Sequence, residues 1–322
     1  MAGVFFLNTA STRILAINND AHISSGARLA FRLVAAVLLI AVASCSNRRA
    51  ELPAARTLTD ELGRQISVVP SPGRIISLAP SVTETLFAIG AGNSVVGVTT
   101  FCDYPPEAAS VAKVGDTQRP SIERIIALKP DLVIASTSSQ LETFVSRLGD
   151  LGVPVFVSNP RDLRGVVTSV EAIGDLTGRK NEGMEVAAGL RSRIETVRQR
   201  IDGLERPRVL LVLGGEPLIT VGGTTFVNDL IEMAGGRSIS AGQRSEYPQF
   251  SLETAIAQQP EVIFLQNGNE GLPERLKQTP AARHGRVYKL DDALLLRPGP
   301  RLVDGLEQMA DRLHPEASNS SR

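Results

Sequence analysis

One segment of this 322-residue chain occurs twice. Ser121-Ile122-Glu123-Arg124-Ile125-Ile126-Ala127-Leu128-Lys129-Pro130-Asp131-Leu132-Val133-Ile134 is the first copy. Ser251-Leu252-Glu253-Thr254-Ala255-Ile256-Ala257-Gln258-Gln259-Pro260-Glu261-Val262-Ile263-Phe264 is the second, at a constant offset of 130. Ser, Glu, Ile, Ala and Pro coincide, and an acid leads into a strand in both. Each copy reads as a short helix, a proline stop and a buried strand. Between them lies a stretch of helical pattern from Leu163 to Leu204, interrupted at Gly174–Gly178. Two matching copies on either side of a long helix predict two similar lobes related by a pseudo-twofold axis.

The rest of the chain fits that plan. Arg74-Ile75-Ile76-Ser77-Leu78, Val95–Val98, Leu132–Ala135 and Val153–Val157 are short apolar runs in the first half. Arg208–Leu213, Glu261–Leu265 and Arg286–Leu290 are their counterparts in the second. Continuous apolar strands alternating with helices indicate mostly parallel sheets covered on both faces. The fold class is therefore α/β, two lobes joined by a long rigid helix, with a ligand cleft between them. A lobe at residues 73–160, a helical connector at 161–205 and a second lobe at 206–315 follow. Ser81-Val82-Thr83-Glu84 has the spacing of a helix capping box. Residues 316–322 are polar and read as a disordered tail.

The N-terminus points out of the cytoplasm. Arg28 and Arg32 precede an apolar run, Leu33–Ala43, of signal-peptide length and too short to span a bilayer. The run ends in Val42-Ala43-Ser44-Cys45, which resembles a bacterial lipobox. Residues 1–44 then form a lipoprotein-type signal peptide and Cys45 becomes the acylated first residue. Residues 45–72 read as a tether, with a short strand near Ile66–Val69. Cys102 is the only other cysteine, so no intramolecular disulfide is expected.

Function classes can be narrowed from the same residues. Formal net charge is zero and no Lys/Arg run exceeds two, which argues against nucleic acid as a partner. Beyond residue 45 the only histidines are His284 and His314, and no nucleophile elbow, phosphate loop or H-E-x-x-H pair occurs. The chain reads as a binding module with no cofactor of its own, not as an enzyme. Glu123 and Glu253 fall off the stripes Ile122/Ile125/Ile126 and Leu252/Ala255/Ile256, so both are expected to be exposed. Ser121 and Ser251 are natural N-caps. One exposed carboxylate per lobe suits docking onto two arginine clusters of a roughly symmetric partner.

Arg74-Ile75-Ile76-Ser77-Leu78-Ala79-Pro80-Ser81-Val82-Thr83-Glu84 resembles the opening of the cobalamin/ferric-siderophore/haem class of ABC-importer solute-binding proteins. Gly97-Val98-Thr99-Thr100-Phe101-Cys102-Asp103-Tyr104-Pro105-Pro106 is similar to its cobalamin-binding branch. The likeness runs to Arg297-Pro298-Gly299-Pro300-Arg301-Leu302. It implies a monomeric periplasmic body, anchored through Cys45, that delivers a corrinoid to a permease dimer with its ATPase subunits. It implies Glu123 and Glu253 as the permease-docking residues. It implies ligand contacts at Phe101, Tyr247 and Arg297, with Pro80 and Thr117 beside them. Thr117 and Ser136 stand where a cobalamin binder carries Trp, and this chain has no Trp. Haem, with Tyr104 or Tyr247 as axial candidates, and a ferric siderophore, with Arg297 and Arg301, are the alternative ligands. A sensory or scaffold lipoprotein of the same fold is the alternative of another class. Cys102 reads as a small packed residue and Glu84 as a helix cap.

Overall fold

Ten short strands and the helices between them build two sheets and one hairpin among residues 54–137, 141–266 and 271–319, which are those the computed structural model describes. Cys45 and the signal segment lie outside the described residues. The lobe-one sheet contains β3 (Ile75–Ser77), β4 (Val95–Val98), β5 (Leu132–Ser136) and β6 (Val155–Ser158), in the order β4-β3-β5-β6. The lobe-two sheet contains β7 (Arg208–Val212), β8 (Arg237–Ser238), β9 (Val262–Gln266) and β10 (Val287–Leu290), in the order β10-β9-β7-β8. Read from the other edge this is the same order, and every pair in both sheets is parallel.

The duplication reaches the backbone. Helix α2 (Ile122–Ala127) and helix α7 (Leu252–Ala257) are the two repeated helices. Ser121 Oγ accepts from Arg124 N, and Ser251 Oγ accepts from Thr254 N, so both are N-caps. Each helix is followed by a non-glycine residue at positive φ, Lys129 at 47° and Gln259 at 49°, directly before the repeated proline. Arg74, just before β3, and Arg208, the first residue of β7, close the helix ends. Arg74 Nε donates to the carbonyls of Leu128 and Lys129, and Arg208 Nε to those of Gln258 and Gln259. The buried stripe of α2 differs from expectation by one position. Ile125 is fully buried, Ile122 and Leu128 pack beside it, and Ile126 is 40% exposed.

Alternation along the strands explains why both sheet faces are dry. Ile75, Leu132 and Ile134 join Val209, Leu211, Val262 and Phe264 in one core shared by the two lobes. Their neighbours Ile76, Val133 and Ala135 face a separate core in lobe one, and Leu210, Val212 and Ile263 one in lobe two. The shared core is completed by the connector, which is two helices, α4 (Leu163–Leu176) and α5 (Lys180–Ile201). They cross where Gly174 meets Gly183, so closely that a Cβ on Gly174 would lie 2.8 Å from the Gly183 Cα. Helix α5 runs 22 residues and also packs against the last long helix, α10 (Leu302–Leu313).

The expected tether is shorter than residues 45–72. β1 (Arg56–Thr59) and β2 (Gln65–Val68) pair as an antiparallel hairpin. Leu58, Ile66 and Val68 add apolar surface to the shared core. Asp60 at the turn accepts from Leu62 N and Arg64 N, and Glu61 N donates to the Val157 carbonyl at 3.1 Å. The Glu61 carboxylate accepts from Ser169 and from Asn159 N. At the other end, Pro315–Asn319 is a short helix where a disordered tail was expected to start. The capping box is also absent. Helix α1 (Pro80–Ala88) has Ala79 at its cap position and no side-chain cap, because Ser81 already lies inside the first turn and the buried Glu84 is engaged by Arg301.

Candidate functional site

The carboxyl ends of the strands in both lobes open onto one cleft of about 660 Å³. That is where open α/β sheets hold their ligands. Pro80, Phe101, Thr117, Tyr247 and Arg297, the five residues singled out in the sequence, all line it. Lobe one contributes Pro80 from the start of α1, Phe101 from the loop after β4 and Thr117 from the following turn. Asp116 folds that turn by accepting from the backbone N–H groups of Gln118 and Arg119. Ser136 and Thr137 at the end of β5 and Asn159 at the end of β6 form a polar floor.

Lobe two contributes Tyr247 from a loop held against a glycine pair. Gly222 N donates to the Glu246 carbonyl at 2.8 Å, and a Cβ on Gly222 would sit 1.9 Å from the Ser245 carbonyl oxygen. Only glycine permits that approach. Phe101 is 54% exposed and Tyr247 47%, so each lobe presents a half-bare aromatic ring to the cleft. Burial and the neighbouring Glu246 push the Tyr247 phenol up.

Two of the cleft residues that were not foreseen bear on its chemistry. Phe226, at the start of helix α6 (Phe226–Met233), adds a third aromatic. In the sequence it was indistinguishable from a first core position of that helix. Arg161 lines the cleft at the end of β6, is exposed, and makes no ion pair among the described residues. Only its place immediately after a strand end could have marked it.

Arg297 is engaged by acids far away in sequence. Its guanidinium donates to both oxygens of Asp103, at 2.5 and 3.1 Å, and lies 3.5 Å from Glu84. The Arg297 hydrogen bond holds the Asp103 carboxyl below its usual range. Glu84 is an ion-pair partner and not a helix cap. It is 3% exposed, and Arg301 donates to both of its oxygens at 2.6 and 3.0 Å. Arg301 also stacks over Tyr104, 3.9 Å from the ring centre. Neither Arg301 nor Tyr104 lines the cleft; both are engaged in this cluster beside it. Cys102 is buried beside Thr83 and Thr99, as a small packed residue.

Glu123 and Glu253 lie outside the cleft, on the exposed sides of α2 and α7. Ser121 Oγ donates to Glu123 at 3.0 Å and Ser251 Oγ to Glu253 at 2.9 Å. Their environments differ in the arginine beside each, since Arg147 acts on Glu123 only through its charge. The backbone N–H and Ser121 hold the Glu123 carboxyl below its usual value. Glu253 is also paired to Arg275 at 2.5 Å, which brings its carboxyl down to about 2. No helix among the described residues is long and apolar enough to cross a membrane.

A family model described as "Periplasmic binding protein" matches residues 75–294. The chain is 31% identical over 242 residues to a vitamin B12-binding protein of Vibrio parahaemolyticus, spanning 74% of this chain and 88% of that one. It superposes on the periplasmic vitamin B12-binding protein BtuF of Vibrio cholerae with a TM-score of 0.68 and 31% identity, over 77% of this chain and 98% of that one. The periplasmic haem-binding protein RhuT from Roseiflexus sp. RS-1, in apo form, gives a TM-score of 0.68 and 29% identity, over 76% and 98% of the two chains.

Proposed function

The chain belongs to the periplasmic binding protein family, and on that premise we propose that it is the extracytoplasmic substrate-binding component of an ABC importer, with a corrinoid as its ligand. The observation that carries this reading is the interlobe cleft, where Phe101 and Tyr247 face a bulky ligand from opposite lobes. The two rings give a bulky macrocycle apolar faces to pack on, and the Ser136, Thr137 and Asn159 floor offers hydrogen bonds to its polar periphery. Pro80 and Thr117 border the same ligand, and Arg297 meets a polar group on its periphery. The resemblance to vitamin B12-binding proteins over most of the chain supports the choice of corrinoid.

Capture involves small lobe movements, since the shared core and the α4–α5 connector are continuous across both lobes. Apolar packing of that kind opens only by exposing its area to water. Delivery uses Glu123 and Glu253, one exposed carboxylate per lobe, as ion-pair partners of the permease dimer. Cys45 carries the lipid that keeps the protein at the membrane. Replacing both acids tests the role: Glu123→Ala with Glu253→Ala retains ligand affinity and loses transport. Uptake equal to wild type in the double variant would sink the docking assignment.

Haem is the second reading. Arg161 and Arg297 both line the cleft and match carboxylates, and Tyr247 is a phenol within reach of a bound metal macrocycle. The likeness to RhuT supports it.

A further inference from the structure

We propose that Asp103, which stands just outside the cleft lining, sets the cleft's specificity through Arg297: it occupies the Arg297 fork from across the lobes, so that a ligand group takes over that fork only if it is itself anionic, a carboxylate or a phosphate. The inference rests on the reading of the cleft as the ligand site. Arg297 lines that cleft, yet each of its terminal nitrogens already gives one N–H to an oxygen of Asp103, so its end-on fork is occupied. The two acids that face Arg297 are not equivalent. The Glu84 side chain is 2% exposed and is held by Arg301 through both oxygens, whereas the Asp103 side chain is 65% exposed. Asp103 is therefore the partner that leaves.

A neutral acceptor, such as an amide carbonyl, takes at most a spare N–H of Arg297 and leaves the Asp103 fork in place, because exchanging that ion pair for one weaker hydrogen bond is unfavourable. A carboxylate or phosphate reproduces the fork, and the released Asp103 carboxylate is solvated at small cost because it is already mostly in water. The exchange also removes one polar link between the lobes. Asp103 follows β4 in lobe one and Arg297 follows β10 in lobe two, while the buried Glu84–Arg301 pair persists.

The test follows the Arg297 side-chain N–H signal by NMR, assigned with Arg297→Lys, during titration with inorganic phosphate. Wild type, Asp103→Asn, Asp103→Ser and Glu107→Gln are compared. Glu107 is an exposed acid on the same loop that does not line the cleft. Both Asp103 variants respond at about fivefold lower phosphate than wild type, the scale of one exposed charge pair, and Glu107→Gln matches wild type. An Arg297 signal unmoved by phosphate in the Asp103 variants, or an equal gain in Glu107→Gln, overturns the proposal. Phosphate replaces the corrinoid in this experiment. A failure to bind cyanocobalamin would therefore reject the proposed ligand without deciding this result, and the reverse holds too.

Discussion

Arg301 grips Glu84 through both carboxylate oxygens, at 2.6 and 3.0 Å, and so joins the N-terminal end of the last long helix of lobe two to the first helix of lobe one. The Glu84 side chain is 2% exposed and that of Arg301 is 18% exposed. Gly299 carries the connecting backbone so near α1 that a Cβ there would stand 3.1 Å from the Ser81 Cα. The lobes are thus linked by a polar strap as well as by the connector helices.

Breaking a buried pair from one side leaves a charge without its partner. Glu84→Gln is expected to lower unfolding stability by about 3 kcal/mol. Asp103→Asn, at the exposed end of the same cluster, is expected to cost less than about 1 kcal/mol. Urea denaturation of the two variants measures the difference, and equal losses would contradict the assignment of a buried and an exposed half.

The Asp103 carboxyl is held below its ordinary value of 3.8, chiefly by its hydrogen bond from Arg297. A folded-state value below the unfolded one means the pair stabilises the protein above the unfolded value. That contribution disappears as pH falls through the folded value. Arg297→Gln should move the Asp103 titration midpoint upward, which carbon-detected NMR of the side-chain carboxyl reads directly. An unmoved midpoint would contradict the pairing.

The crossing of α4 and α5 allows no side chain at its centre. Gly174→Ala would place its methyl 2.8 Å from the Gly183 backbone, an overlap that the helices relieve only by separating. A loss of about 1–3 kcal/mol is expected. Gly189→Ala on α5, where a Cβ meets nothing within 4 Å, should be neutral or slightly stabilising. Thermal unfolding of the pair checks both.

Phe101 and Tyr247 are half exposed, so truncating them should affect binding far more than folding. Phe101→Ala and Tyr247→Ala should each weaken ligand binding by about tenfold or more, as expected for aromatic anchors. Stability should stay within about 0.5 kcal/mol of wild type. A large stability loss with unchanged affinity would place these rings in the scaffold instead.

Much of the fold was readable because its determinants are local. The repeated Ser-x-Glu segments, the proline stops and the continuous apolar strands each announce themselves within a few residues. Alternation along Ile75–Ser77 or Leu132–Ala135 could not show which face met the shared core, since both faces are buried. The cleft residues Phe101 and Tyr247 were legible as loop aromatics. The polar strap was not, because Arg301 and Glu84 lie 217 positions apart and the S-x-x-E spacing gave Glu84 a plausible local partner. Of the hairpin at residues 56–68 only the second strand, read near Ile66–Val69, was legible, and its partner was hidden for a related reason. Both strands are short and polar, and the hairpin is held by Asp60, Glu61 and Arg56 contacts to distant segments. Arg275 pairs directly with Glu253, whereas Arg147 near Glu123 acts only through its charge, a difference between the two copies that the repeated segment itself does not reveal.

Calorimetry of the purified protein with cyanocobalamin, and separately with hemin, is the most direct test of the central claim. The corrinoid reading predicts stoichiometric binding of cyanocobalamin at micromolar concentration or below, lost in Phe101→Ala with Tyr247→Ala. No heat with cyanocobalamin at those concentrations, together with saturable hemin binding that depends on Tyr247, would contradict it.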